Sequence, residues 1–319
     1  HTVYLINDVG RVLWKLPLGQ QINSEVYQVD LFKNGKLQYL FSTPDKMYLI
    51  DRNGNAAGRF PVAFKGKCEQ GISVYDYDNN RNYRIFVPCE NREVYLYGLD
   101  GKPVEGQKTD KPVVSKVQHF RVADKDYIVF ADRYRFYILD RKGKERVRVS
   151  SVFDLKPHTD VYLTRKGGQP VLVFAGKGGQ VHVVNFSGQT ETSRVEGLSD
   201  RFEMNIVDWD GNGTGDVLFT DGNRVLVTRL DGTPLFEKKM EAKTLGFPYV
   251  YRFSAKDVRV GLTDPEQNHL FLLSADGKLS KGFPITGDSP FSIVFLGNDG
   301  FFLFAGTGNN TILKYKVQR

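Results

Sequence analysis

The segment DWDGNGTGD at 208–216 places side-chain oxygens at alternating positions, on Asp208, Asp210, Asn212, Thr214 and Asp216, with Gly211 and Gly213 between them. Such a pattern suits a hard cation, because calcium collects six to eight oxygens at about 2.3–2.6 Å and the loop that supplies them must bend tightly. A twelve-residue calcium loop between two helices would end on a bidentate acid, and the twelfth position here is Phe219. The expectation is one calcium ion held by Asp208, Asp210, Asn212, Thr214 and Asp216. The competing reading is an Asx-rich hairpin that needs no metal.

Two other segments carry a weaker version. DYDNNRNYR at 76–84 keeps Asp76, Asp78, Asn80 and Asn82, but Arg81 and Arg84 add like charge against a cation. DLFKNGKLQ at 30–38 keeps only Asp30, Asn34 and Gly35 in register. No metal is assigned to either.

Cys68 and Cys89 are the only cysteines. If 72–77 and 83–88 run antiparallel about a hairpin near 80, the two thiols come close enough for a disulfide, which would persist in an oxidising compartment. Two free thiols in a reducing compartment are the alternative. His1, His119, His158, His182 and His269 are too scattered to form a local metal cluster. There is no nucleophile elbow, HExxH helix, P-loop, dinucleotide fingerprint or CxxC pair, so no catalytic residue is assigned. An enzyme would have to assemble distant acids or bases around the fold.

The elements that position these residues repeat. VYLINDVG, MYLIDRNG, VYLYGLDG, FYILDRKG, VHVVNFSG, VLVTRLDG and LFLLSADG each run from a β-rich stretch through a polar residue to glycine. The glycines are Gly10, Gly54, Gly101, Gly143, Gly188, Gly232 and Gly277, spaced by 44, 47, 42, 45, 44 and 45 residues. Each unit holds four short β-like stretches, in the second unit at about 26–32, 36–42, 46–51 and 57–62, which is the content of a propeller blade. Helical repeats of this period fail, because Val, Ile, Tyr and Phe dominate and no amphipathic helical period is sustained.

The fold class expected is all-β, a β-propeller of four-stranded blades, seven preferred and six or eight open. One domain is expected over 1–319, its ring closed by residues 1–18 with 292–319, although VYLIN then leaves one strand too many.

Composition agrees. The 319 residues are 40% hydrophobic and 13% aromatic, which excludes disorder and a disulfide scaffold. No run of about 18 apolar residues occurs. The start HTVYLIND lacks a signal peptide's features, so any targeting segment or anchor is expected to lie outside this sequence. The net charge is +7, and the densest basic stretch is RYRFYILDRKGKERVRV at 133–149. An anionic partner can use such a stripe, but keeping an outer strand soluble explains it without a ligand, and nucleic acid is not expected.

Some likenesses are carried by these motifs. The loop at 208–216 resembles the DxDxNGxxD loops of integrin-type propeller repeats, which lie between the first two strands of a blade and can bind calcium. The YLID-x-x-G units resemble the PQQ-like propeller group. Only Trp14 and Trp209 are present, without the repeated tryptophan docking of the quinoprotein dehydrogenases, so no PQQ is expected. The dipeptide Trp209-Asp210 lies inside the acidic loop, unlike that of WD40 repeats.

GRFPV at 58–62, GFPYV at 246–250 and SADGKLSKGFPI at 274–285 resemble the C-terminal propeller of uncharacterised Bacteroidetes DUF3352-type proteins. That resemblance implies one part of a longer cell-envelope protein, periplasmic or membrane-anchored through a missing N-terminal region, and brings no catalytic residues. The scaffold is also similar to the propeller of an outer-membrane-assembly lipoprotein. The function expected is a non-enzymatic cell-envelope binding or scaffold module that presents loops to a protein partner. The alternatives are a carbohydrate-active propeller enzyme and a purely structural, calcium-stabilised module.

Overall fold

In the computed structural model, which describes residues 1–254 and 256–318, every sheet is an antiparallel meander of consecutive strands. The chain is an all-β, seven-bladed propeller. Among the described residues, blades one to six are four-stranded sheets at 27–63, 73–108, 118–147, 161–194, 203–239 and 249–286, and the seventh is a three-stranded sheet at 291–317. A separate hairpin pairs Thr2–Ile6 with Val12–Pro17.

The chain divides into two compact units, His1–Val161 and Tyr162–Arg319. In the first, Leu40, Met47 and Leu49 of blade one pack with Ile72, Ile85 and Val87 of blade two. Phe86 and Val94 on the other face of blade two meet Ile128, Phe130 and Leu139 of blade three. In the second unit, Val173 and Val183 meet Phe202, Val217 and Phe219, and Leu218, Val225 and Val227 meet Val260, Leu262 and Phe271. Strand alternation sends successive residues to opposite faces, so each central strand feeds two cores.

The periodic glycines do more than close turns. In the turn at 51–54, Asp51 Oδ1 accepts the N–H groups of Asn53 and Asn55 at 2.8 and 2.9 Å, and Gly54 has φ +86°. A Cβ on Gly54 would lie 3.0 Å from the Trp14 ring, whose indole N–H donates to the carbonyl of Arg52 at 2.9 Å. Gly277 presses in the same way on the ring of Phe236, which belongs to the fourth strand of the preceding blade, Pro234–Lys239. Trp14 therefore takes the place of a fourth-strand residue against blade one.

A second repeated device was not anticipated. Tyr27 donates its hydroxyl to the carbonyl of Ile72 at 3.2 Å, Tyr75 to Val117 at 2.9 Å and Tyr162 to Met204 at 2.7 Å. Tyr251 makes the same bond to Phe291. Each stitches the first strand of one blade to the start of the next, and burial pushes the Tyr75 phenol up to about 12.

The fourth strand of blade one is shorter than expected. It is confined to Val62–Ala63, while Ala56 makes only an isolated bridge to Ile50. Gly58, at φ +63°, turns the chain out of extended geometry between them.

Candidate metal centre

The loop at 208–216 joins the first two strands of blade five, Glu203–Val207 and Asp216–Asp221, which pair with Val207 opposite Asp216. Strand pairing thus returns Asp216 beside Asp208. Gly211 and Gly213, at φ +73° and +81°, make the reversal between them. Backbone amides then tie the side chains down. Trp209 N–H donates to Asp216 Oδ2 at 3.0 Å, Gly213 N–H to Asp208 Oδ2 at 3.1 Å and Asn212 N–H to Asp210 Oδ1 at 3.2 Å. Gly215 N–H donates to the Thr164 hydroxyl of blade four at 3.0 Å, which anchors the loop from outside.

Asp208, Asp210 and Asp216 each offer a carboxylate oxygen, and these atoms lie within 4.8 Å of one another. Asp216 is 1% exposed. Burial, with the charges of Asp210 and Asp208 beside it, pushes its carboxyl up to about 6, against the opposing pull of the Trp209 amide. Asp208 Oδ1 is buried with no hydrogen-bond partner. Among the described residues no Lys, Arg or His pairs with any of the three. Three converging carboxylates, one with an orphaned buried oxygen, can coordinate a divalent cation such as calcium. Asn212 is exposed with Oδ1 accepting the N–H of Thr214 at 2.7 Å, and Thr214 is half-buried beside it.

The weaker loops are balanced differently. Asp30 accepts the N–H groups of Asn34 and Gly35 at 3.1 and 2.8 Å, and Arg81 Nη1 lies 2.8 Å from its Oδ2. Those amides and that guanidinium hold its carboxyl below the usual range despite burial. The sequence reading set Arg81 against its own loop, whereas the side chain serves the loop of the preceding blade. Asp78 in turn meets Arg141 Nη2 at 2.9 Å.

Arg141 belongs to a cluster that sequence reading missed. Asp126, nearly buried, accepts from Arg121 Nε at 3.2 Å, faces His119 Nε2 at 2.7 Å and lies 2.7 Å from Arg141 Nε. Arg141 stacks 4.6 Å over the Tyr77 ring, which also packs on His119. The network fastens blade two to blade three. His119 pairs with an acid already neutralised by two arginines, which describes a clasp better than a general base.

The basic stretch is largely spent in the same way. Arg133 Nε meets Asp154 at 2.9 Å, Arg135 pairs with Asp110, and Arg146 lies over the Tyr127 ring. Burial pushes His182 down to about 4, and its Nδ1 faces the Thr192 hydroxyl at 2.9 Å. Cys68 and Cys89, both buried, are joined in a disulfide.

No family model matches the chain, and no curated protein does. Solved structures do. BamB from Moraxella catarrhalis is 14% identical with a TM-score of 0.60, covering 96% of this chain and 88% of that one. BBS1N, solved in complex with ARL6DN, is 12% identical with a TM-score of 0.60, over 94% and 93% of the two chains. A catalytically inactive virginiamycin B lyase from Staphylococcus aureus, solved with quinupristin, is 13% identical with a TM-score of 0.58, over 100% and 99%. The likeness is one of fold. One neighbour is a partner in a protein complex and another a lyase, so function must come from the site.

Proposed function

We propose that the chain is a non-enzymatic binding or scaffold module of the cell envelope. Its loops face a protein partner, and Asp208, Asp210, Asn212, Thr214 and Asp216 hold a calcium ion that fixes the hairpin of blade five. One observation carries the reading. Blade one balances its buried loop acid Asp30, and blade three its buried strand acid Asp126, with arginines, whereas the acids of the blade-five loop converge with no cationic side chain among the described residues. A bound cation completes the series. Asp216, at 1% exposure, offers no approach for a sugar, so this acid cluster suits a cation better than glycoside chemistry.

Two further features support the binding role and its place. Phe32 in the hairpin of blade one and Phe295 in that of blade seven are 59% and 61% exposed, the kind of aromatic anchor that protein recognition uses. The disulfide suits an oxidising, extracytoplasmic setting. The narrower kinship with DUF3352-type proteins, and a membrane anchor outside this sequence, belong to the same proposal. No helix among the described residues is long and apolar enough to cross a membrane.

A purely structural calcium-stabilised module shares the metal site and lacks the partner. Capture from a native cell envelope separates the two: the binding reading expects a reproducible partner that is lost on replacing Phe295 by Ser. Recovery that is indifferent to the exposed hairpins would count against it.

A further inference from the structure

We propose that the strand Thr2–Ile6 is the receiving edge for a β-strand of the partner polypeptide, which pairs antiparallel with it and sets a phenylalanine opposite Tyr4. The inference rests on the binding role above and gives that partner a chemistry. By the repeat, VYLINDVG aligns with MYLIDRNG, VYLYGLDG, FYILDRKG, VHVVNFSG, VLVTRLDG and LFLLSADG, each of which contains the third strand of a four-stranded blade. Each of those third strands lies between a second and a fourth strand. Thr2–Ile6 has the equivalent of its fourth strand in Val12–Pro17 but, among the described residues, pairs with no second strand.

The register around Tyr4 defines the partner. Six residues before the turn glycine, where the hairpin has Tyr4, the blades carry Tyr48, Tyr95, Tyr137, His182, Leu226 and Phe271. These stand opposite Phe41, Val87, Phe130, Phe174, Phe219 and Leu262 of the second strands. Four of the six partners are phenylalanine, and the Tyr48 and Tyr137 rings stack on theirs with centroids 5.3 and 4.9 Å apart and interplanar angles of 12° and 14°. Tyr4 is 53% exposed and has no strand opposite it on that side. Met47 and Leu49, which flank Tyr48, are fully buried, whereas Val3 and Leu5 are only half-buried.

The edge is also chemically open. Leu18 N–H donates to the His1 carbonyl and Asn7 N–H to that of Arg11, both at 3.0 Å, so the alternate backbone groups of Thr2, Tyr4 and Ile6 point away from the hairpin. Other edge strands carry charges that discourage a further strand, such as Lys314 and Lys316 on Thr311–Val317 or Glu191 and Arg194 on Thr190–Arg194. TVYLI carries neither charge nor proline. Its complement is a strand apolar on both faces, like the second strands of the blades, whose backbone extends the ladder and whose phenylalanine covers Tyr4.

The test uses the full chain with the peptide acetyl-GKLQYLFSTPD-amide, which copies the second strand of blade one at 35–45, and its relative with alanine in place of phenylalanine. Amide exchange followed by NMR is expected to slow about tenfold or more at Thr2, Tyr4 and Ile6 on adding the first peptide. The alanine peptide is expected to bind roughly 3–10-fold more weakly. Tyr4→Lys, at an exposed position, is expected to weaken the first peptide about tenfold while leaving the melting temperature and the Trp14 fluorescence unchanged. Equal binding by Tyr4→Lys, equal binding of the two peptides, protection confined to other edges, or no binding into the millimolar range would overturn the proposal. Protection of Tyr4 in a peptide-free dimer would overturn it too, since a second copy would then fill the edge. A native partner that binds Tyr4→Lys as well as the parent chain would refute the edge while leaving the binding role standing.

Discussion

Arg81 Nη1 lies 2.8 Å from Asp30 Oδ2, so a guanidinium from the hairpin of blade two neutralises the loop carboxylate of blade one. Blade five repeats the carboxylate at Asp208 without the guanidinium and adds Asp210 and Asp216. The difference between the loops is one of countercharge, and the predictions follow from it.

Without metal, stability is expected to fall as pH rises from about 4 to 6, because the folded state raises the Asp216 carboxyl to about 6 and binds a proton the unfolded chain has released. The contribution is at most about 3 kcal/mol, at 1.36 kcal/mol per pKa unit. Calcium competes with that proton, so its affinity is expected to be roughly tenfold weaker at pH 5 than at pH 7. Thermal melts with and without calcium across this range check both statements; an affinity flat with pH contradicts them.

Asp216→Asn removes the buried charge while keeping an acceptor for the Trp209 amide. At pH 7 the metal-free variant is expected to be more stable than the parent by about 1–2 kcal/mol. It is also expected to lose its response to calcium. A purely structural turn would give a destabilised variant, and denaturant melts distinguish the two.

Asp126→Asn acts with the opposite pH sense. His119 and Arg121, with the charge of Arg141, hold the Asp126 carboxyl below its ordinary value, so its stabilisation is present above the normal carboxylate range and lost as pH falls below it. The variant is expected to lose about 2–4 kcal/mol at pH 7, discounted for the half-exposed Arg121. It is also expected to flatten the acid limb of the stability profile.

Gly277→Ala and Gly10→Ala separate turn conformation from blade docking. Both residues have positive φ, but open space surrounds Gly10, whereas a Cβ at Gly277 overlaps the Phe236 ring. Gly10→Ala is expected to cost about 1–2 kcal/mol and Gly277→Ala about 3 kcal/mol or more. Phe236→Ala is expected to relieve part of the second loss, as a double-mutant cycle would reveal.

Reduction of the purified chain is expected to add about 2 Da and expose two thiols. Cys68→Ala with Cys89→Ala is expected to cost about 3 kcal/mol for opening a loop whose ends are 21 residues apart.

The fold was legible because the turn glycines keep a regular period, and DWDGNGTGD was legible because its donors are consecutive in one hairpin. Contacts between blades were harder to read. The dipeptides Val26-Tyr27, Val74-Tyr75, Val161-Tyr162 and Val250-Tyr251 are visible as repeats, but only the neighbouring strand shows that their hydroxyls reach the next blade. Asp126 lies opposite Arg121 in the paired strands, and His119, opposite Ile128, is its diagonal neighbour, so that cluster depends on register. Arg81 was placed by sequence distance in its own loop, yet a long side chain follows the nearest uncompensated carboxylate. In blade two Val104 pairs with Leu96 and Gln107 with Val94, a bulge at Glu105–Gly106 whose one inserted residue leaves little trace in composition.

Calorimetric titration of the metal-free chain with calcium at pH 7, run beside Asp216→Asn, tests the central claim most directly. The account predicts one saturable site in the parent and none in the variant. Absence of binding through the millimolar range in the parent, or equal binding by both, would contradict it.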